Sequence, residues 1–182
     1  PSYLFYQCSE FTGPLIIPDN VTEIGEYSFF KCGFNGTLIF PENLEKAGES
    51  AFCRCSNLTS LKLNNKITEI EISLFEDCVG LTGDLVIPDS VIVISGAAFQ
   101  HCGFNGTLTL SKNLEEIYNL VFWDCQFVGT LTIPDKVKII YEACFFGCDR
   151  FTKLELNDNL EEIGEETFAD CQFTGSLIIP DS

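Results

Sequence analysis

The cysteines of this 182-residue chain recur at a nearly constant interval. Eight of the ten are separated by steps of 23 or 24 residues, and they are Cys8, Cys32, Cys55, Cys78, Cys102, Cys125, Cys148 and Cys171. Internal periodicity of this length is typical of a solenoid, in which each repeat is one coil that packs against its two neighbours.

Apolar residues keep the same interval. Each unit holds a Leu that begins a Leu-x-Ile triplet, at Leu15, Leu38, Leu61, Leu85, Leu108, Leu131, Leu154 and Leu177. Each also holds a Phe three positions before the cysteine, at Phe29, Phe52, Phe75, Phe99, Phe122, Phe145 and Phe168. The triplet alternates as a short strand does, and the Pro, Asn or Ser that follows it ends the strand. The segment before each Phe has room for about one turn of α- or 3₁₀-helix.

The sequence therefore predicts a repeat solenoid, mainly β with short helical or 3₁₀ turns, whose 23- to 24-residue coils stack parallel strands in register. We expect a single solenoid over residues 1–182, with about seven full coils and a partial coil at each end. Neither end shows the polar capping coil that solubility normally requires, so the pattern favours a segment of a longer array.

The unit resembles a leucine-rich repeat of the BspA type, which is carried on surface proteins of bacteria and protozoan parasites. The best-matching stretches are residues 17–29 (IPDNVTEIGEYSF) and 87–99 (IPDSVIVISGAAF). The general leucine-rich pattern has an Asn ladder after the strand, whereas half of those positions here hold Lys or Ser. The resemblance implies a solenoid that binds other proteins, on a cell-surface adhesin or recognition protein.

The net charge of the chain argues against two classes of partner. The chain has 27 acidic and 10 basic residues, a net charge of −17, which disfavours nucleic acids and anionic membrane surfaces. Its apolar runs are too short for a membrane-spanning helix, so we expect no direct membrane insertion, and no signal peptide is visible.

The cysteine column has two interpretations. Stacked strands lie about 4.8 Å apart, a distance that permits disulfides between coils. All eight side chains follow the buried Phe column on one side, however, which favours a column of buried free thiols. Cys53 and Cys144 fall outside the column, about 19 Å apart, and cannot pair. We expect no zinc site, because no four ligands converge.

The other reactive residue types favour ordinary structural roles. Acidic pairs such as Glu115-Glu116 and Glu161-Glu162 resemble acid–base or calcium groups, but a solvated acidic face explains them, and no calcium-loop motif occurs. His101 precedes Cys102, and the two suggest a nucleophile and base, yet adjacent residues of an extended chain point apart. We therefore expect no enzyme activity and no cofactor.

The best candidate interaction face is the row of outward positions on either side of each Leu, which we call the strand stripe. It comprises Pro14, Ile16, Thr37, Ile39, Ser60, Lys62, Asp84, Val86, Thr107, Thr109, Thr130, Thr132, Lys153, Glu155, Ser176 and Ile178. The stripe is rich in Thr, Ser and β-branched residues, a composition that β-propensity alone would also produce. Solenoid surfaces of this kind bind extended partners, and ten of these residues are predicted to carry the contact: Ile16, Thr37, Ile39, Lys62, Val86, Thr107, Thr109, Thr130, Thr132 and Ile178.

The sequence is compatible with two cellular locations for this chain. Four Asn-x-Thr sequons, at Asn20, Asn35, Asn57 and Asn105, are possible N-glycosylation sites and favour a secreted or cell-surface chain. Its partner would then be a host-cell or matrix protein. Ten apparently unpaired cysteines favour instead a reducing compartment, where the same solenoid would be a structural scaffold within a large, for example cytoskeletal, assembly.

Overall fold

The structure, a computed structural model, describes residues 1–179. Pro180, the last member of the strand-ending column, lies outside the described residues. Within residues 1–179 the chain forms thirteen strands, β1 Glu23–Ile24, β2 Gly36–Ile39, β3 Lys46–Ala47, β4 Leu58–Lys62, β5 Glu69–Ile70, β6 Leu85–Val86, β7 Val93–Ile94, β8 Leu108–Thr109, β9 Glu116–Ile117, β10 Gly129–Thr132, β11 Ile139–Ile140, β12 Phe151–Glu155 and β13 Glu162–Ile163.

The strands form two sides of a parallel solenoid. The even-numbered strands contain the Leu column and form what we call the front side, where they pair as β2–β4, β6–β8 and β10–β12. The odd-numbered strands form the back side, with the pair β1–β3 and a five-stranded sheet in the order β13-β11-β9-β7-β5, the back sheet. Equivalent residues of successive coils pair, as Leu38 does with Leu61 and Ile70 with Ile94. The predicted solenoid fold with in-register parallel strands is confirmed.

The expected helical or 3₁₀ turns take a different form. No helix occurs in residues 1–179, and the segment around each Phe is a series of hydrogen-bonded turns. The residues two before and two after the Phe have positive φ, as at Tyr27 (54°) and Lys31 (53°) around Phe29. A left-handed residue cannot continue a right-handed helix. The N–H groups of Tyr27 and Lys31 donate to carbonyls of the next coil, at 2.9 Å and 2.8 Å, which offsets part of the conformational strain.

The core consists of the repeated columns. The Phe rings stack on one another along the solenoid, with centroids 5.8 Å apart for Phe52 and Phe75 and 5.4 Å for Phe75 and Phe99. Both Phe75 and Phe99 are fully buried, as is Leu131 of the strand column. Each coil therefore completes the burial of the next, as a repeat architecture requires.

Two buried asparagines stand where most coils have the strand-ending Pro. The Asn64 amide donates to the carbonyls of Pro41 (2.6 Å) and Leu44 (2.8 Å) in the preceding coil. Its carbonyl oxygen accepts from the backbone N–H groups of Lys66 (3.0 Å) and Ile67 (3.1 Å). Asn157 forms the same bonds to the carbonyls of Pro134 and Val137. These side chains tie adjacent coils together at the positions where the ring of Pro is missing.

Candidate functional site

The strand stripe faces solvent along the front side. In β2 the buried Leu38 lies between Thr37 and Ile39, which are both exposed. All ten residues predicted to carry the contact are exposed. The pleat therefore places them on the outer surface, as the alternation predicts; that they contact a partner stays a prediction.

The stripe is electrically neutral in a strongly acidic protein. Its charged members are Lys62, Asp84, Lys153 and Glu155, two basic and two acidic, whereas the whole chain has a net charge of −17. Four of its positions expose large aliphatic side chains, with Ile16 82%, Ile39 53%, Val86 61% and Ile178 80% accessible. Ile16 and Ile39 occupy the same position in consecutive coils, and contiguous exposed apolar residues are typical of protein-binding surfaces.

Hydrogen bonds between coils fix several stripe side chains. The Thr37 and Ser60 hydroxyls lie 2.7 Å apart. The Thr107 hydroxyl and backbone N–H both donate to the same carboxylate oxygen of Asp84, at 2.8 Å and 2.6 Å. These bonds lower the pKa of Asp84 and keep the stripe side chains in fixed positions.

Toward the C-terminal end of the stripe, Glu155 accepts from two neighbours. The Thr132 hydroxyl donates at 2.9 Å and the Lys153 ammonium at 2.6 Å. The Lys153 bond first, and then the Thr132 bond, lowers the pKa of Glu155. The hydroxyls of Thr109 and Thr130 form no side-chain hydrogen bond with residues 1–179, so they stay available to a partner.

The four sequon asparagines, Asn20, Asn35, Asn57 and Asn105, are exposed. Asn105 accepts from the backbone N–H of Gly83 at 3.0 Å, and Asn57 donates to the carbonyl of Gly33 at 3.4 Å. Two of the sequon threonines, Thr37 and Thr107, are also stripe residues. A glycan at Asn35 or Asn105 would therefore flank the stripe.

The cysteine column is a ladder of thiol hydrogen bonds. Seven of the column thiols, those from Cys32 to Cys171, each donate to the carbonyl of a Phe in the preceding coil, for example Cys78 to Phe52 at 3.1 Å and Cys102 to Phe75 at 3.0 Å. All ten cysteines are free. Burial raises the pKa of Cys78 and Cys102 well above the ordinary value. Thiols that stay protonated are poor nucleophiles and poor metal ligands.

The two cysteines outside the column are also buried. Cys53 is 3% accessible and Cys144 is inaccessible to solvent. Burial raises the pKa of Cys53 to about 12 and that of Cys144 well above its ordinary value. Both therefore pack as small apolar side chains.

His101 has acidic partners that the sequence did not reveal. Its ring Nδ1 lies 3.0 Å from Asp77, and Nε2 lies 3.7 Å from Asp124. Asp77 also pairs with Arg54 at 3.1 Å, so the four side chains form a row of polar contacts on the surface of successive coils. The neighbouring thiol of Cys102 points into the core toward Phe75, and so the nucleophile and base suggested by the sequence are not brought together. Across residues 1–179, no three His, Cys, Asp or Glu side chains are grouped as a metal ion requires.

The predicted acidic face coincides with the back side. Glu116 is the outward residue of β9 and Glu162 that of β13, in the back sheet. Tyr118 and Tyr141 stack on this side with ring centroids 4.9 Å apart, an aromatic pair that the repeat columns did not indicate. A hydrogen bond to Glu116 raises the pKa of Tyr118.

In the part of the chain that the structure describes, no helix is long and apolar enough to cross a membrane.

The family profile described as the BspA type leucine rich repeat region matches this chain in six copies, over residues 1–127 and 82–182. No curated protein matches it at a significant level.

Three solved structures share the fold. A leucine-rich repeat protein from Bacteroides ovatus is 19% identical, with a TM-score of 0.57 over 98% of this chain and 63% of that one. The T. pallidum leucine-rich repeat protein is 22% identical, with a TM-score of 0.60 over 94% and 68%. A leucine-rich cell surface protein from Faecalibacterium prausnitzii is 19% identical, with a TM-score of 0.58 over 94% and 62%. The match to the Bacteroides protein thus spans less than two thirds of that protein.

Proposed function

We propose that this chain, which belongs to the BspA-type leucine-rich repeat family, is a non-catalytic protein-interaction module of a cell-surface adhesin or recognition protein. The strand stripe is its contact surface, and the partner is a host-cell or matrix protein.

One observation supports the stripe above the other surfaces. It is neutral and exposes Ile39 and Val86 at 53% and 61% accessibility, on a molecule whose net charge is −17. Water is displaced from such side chains at low cost, whereas every carboxylate elsewhere on the surface must lose hydration or gain a cation when covered. Stacked strands at about 4.8 Å per coil make the stripe about 35 Å long, enough for an interface of standard size.

Cell-surface placement has two supports. One of the structures with this fold is described as a cell surface protein, and all four sequon asparagines are exposed here. Secretion through a glycosylating pathway would attach glycans at Asn35 and Asn105, beside the stripe.

The alternative function is an intracellular scaffold within a large assembly, and the ten free cysteines favour it. Mass spectrometry of the native protein separates the two. N-glycan occupancy at Asn35 or Asn105 supports the surface protein, whereas unmodified asparagines and recovery of the chain within a cytoskeletal complex support the scaffold.

Charges placed on the stripe test the contact surface. Ile39→Lys and Thr130→Glu should each reduce attachment to host cells or immobilised matrix proteins, because a buried unpaired charge disfavours a neutral interface. Thr130 forms no side-chain hydrogen bond with residues 1–179, so its replacement leaves the fold intact. Thr107→Glu should also reduce attachment, although it removes the bonds to Asp84 as well.

Glu116→Lys is the matched control on the back side, and it should affect attachment less. Circular dichroism and thermal melts establish that each variant is folded. Normal attachment by the stripe variants together with failure of Glu116→Lys would place the contact surface on the back side instead.

A further inference from the structure

The outward residues of the back sheet alternate between carboxylate and aliphatic side chains. They form what we call the back column, which is Glu69, Val93, Glu116, Ile139 and Glu162. Strand register pairs Glu69 with Val93, Val93 with Glu116, and Ile139 with Glu162. Every member is exposed or half-buried, so this face of the sheet is open to solvent.

Two grooves open on this face, and both include Glu116 in their linings. One has a volume of about 690 Å³ and includes Ile139 and Tyr141 in its lining. The other has a volume of about 520 Å³ and includes Val93 and Tyr118. The stacked rings of Tyr118 and Tyr141 follow Glu116 and Ile139 by two residues and contribute to the linings of the two grooves. The surface thus offers apolar contact area as well as charge.

The charge of this face is only partly neutralised from within. Lys138 pairs with Glu161 at 2.5 Å, and Lys46 of β3 pairs with Glu71 at 2.9 Å. The ammonium of Lys136 bonds to the amide oxygen of Asn113 rather than to a carboxylate. Within the back column, Glu69 accepts from the Ser95 hydroxyl at 2.8 Å. Within residues 1–179, Glu115 and Asp135 in the lining of the larger groove form no ion pair. The face therefore presents an excess of carboxylates, complementary to a cationic ligand.

The spacing of the carboxylates selects the shape of that ligand. Glu69, Glu116 and Glu162 lie two coils apart from one another, which is about 9.6 Å at 4.8 Å per coil. One turn of polyproline II helix contains three residues and advances about 9.3 Å. A chain in this conformation with a cation at every third residue would place successive cations beside successive carboxylates.

From this match we infer that the back column is a second docking surface, which binds a basic polypeptide segment in polyproline II conformation. The Lys or Arg side chains of the segment pair with Glu69, Glu116 and Glu162. Its intervening residues pack over Val93 and Ile139. This surface is separate from the strand stripe and accepts a basic peptide rather than the host-cell or matrix protein. Peptide binding is therefore measured apart from the attachment that Glu116→Lys is expected to affect little.

Two labelled dodecapeptides of equal charge and composition test the inference by fluorescence anisotropy at 0.15 M salt. The first is four Lys-Pro-Pro triplets, and the second is four consecutive lysines followed by eight prolines. We expect the first to bind about fivefold more tightly, because each exposed ion pair adds only modestly to affinity and only the regular spacing allows several to form at once. Glu116→Gln should weaken binding of the triplet peptide about two- to fivefold and bring the two peptides closer in affinity.

Glu10→Gln is the control with the same change of net charge, since Glu10 is exposed in the first coil and bonds only to Ser9. It should leave the affinities and their ratio unchanged. The inference is overturned by equal affinity for the two peptides, by absence of binding at millimolar peptide, or by equal losses in Glu10→Gln and Glu116→Gln.

Discussion

Asn64 allows the sharpest test of how the coils are held together. Its side chain is 9% accessible and takes part in four hydrogen bonds, two as donor to the preceding coil and two as acceptor from its own turn. Replacement by Ala would leave two carbonyls and two N–H groups without these partners.

The expected magnitude follows from the number of bonds. Each hydrogen bond contributes about 0.5–1.5 kcal/mol net, so four bonds amount to about 2–6 kcal/mol. Water entering the space of the lost amide would satisfy part of the freed groups. We therefore expect Asn64→Ala to lower the free energy of unfolding by about 2–4 kcal/mol.

Chemical denaturation followed by circular dichroism measures the effect, and the neighbouring residue is a matched control. Asn65 is exposed, and its side chain forms no hydrogen bond with residues 1–179. Asn65→Ala should therefore change the free energy of unfolding by less than about 0.5 kcal/mol. Equal effects of the two substitutions would refute the role assigned to Asn64.

Three further predictions concern the core, the turns and the thiols. In denaturant melts, Phe75→Ala should lower the free energy of unfolding by about 3–5 kcal/mol because it leaves a cavity, and Thr109→Ala should lower it by less than about 1 kcal/mol. Similar losses for the two variants would contradict the assignment of Phe75 to the core and Thr109 to the surface. Lys31 has a φ of 53°, a left-handed conformation that glycine adopts without strain. Lys31→Gly should therefore leave the free energy of unfolding unchanged or raise it by about 1 kcal/mol in the same melts. If Lys31 were in a helix, the substitution would lower that free energy by about the same amount. Burial raises the pKa of Cys55 to about 12 and of Cys171 to about 11, so the unfolded chain releases protons above about pH 8.5 that the folded chain keeps. The denaturant concentration at the unfolding midpoint should be constant below that pH and should fall as the pH rises above it. A midpoint that rises between pH 7 and 10 would contradict the burial of these thiols.

The repeat columns predicted the coil and its core because they reflect burial, which recurs in every unit. Leu38, Phe75 and Cys78 occupy the inward positions that their spacing indicates. The strands of the back side escaped prediction because each has only two residues, such as Glu69–Ile70, too few to establish a strand period.

The turns were predicted with the wrong local conformation because ordinary residues occupy their left-handed positions. Ser73 and Leu120 have φ values of 52° and 63°, where glycine or asparagine would have been the recognisable signal. Bonds between coils hold these residues in place: the Ser73 N–H donates to Gly96 at 3.0 Å. These left-handed conformations are stable only beside a neighbouring coil, so the sequence of a single repeat does not indicate them.

Contacts between side chains of adjacent coils could not be predicted from the sequence either. Asp77 and His101 are 24 residues apart and become neighbours only through the stacking of coils. The same holds for Tyr118 and Tyr141, whose column contains Gly, Glu or Ser in other coils. Exposed columns vary between coils, so repetition gives no signal for them.

Attachment measured against the number of charges on the strand stripe tests the central claim most directly. One, two and three substitutions among Ile39→Lys, Thr109→Glu and Thr130→Glu would be compared on immobilised matrix proteins with equal numbers of charge changes on the back side. We predict that the binding free energy falls stepwise with each stripe substitution and little with the others, because the partner spans several coils. Undiminished attachment of the folded triple stripe variant would contradict the claim.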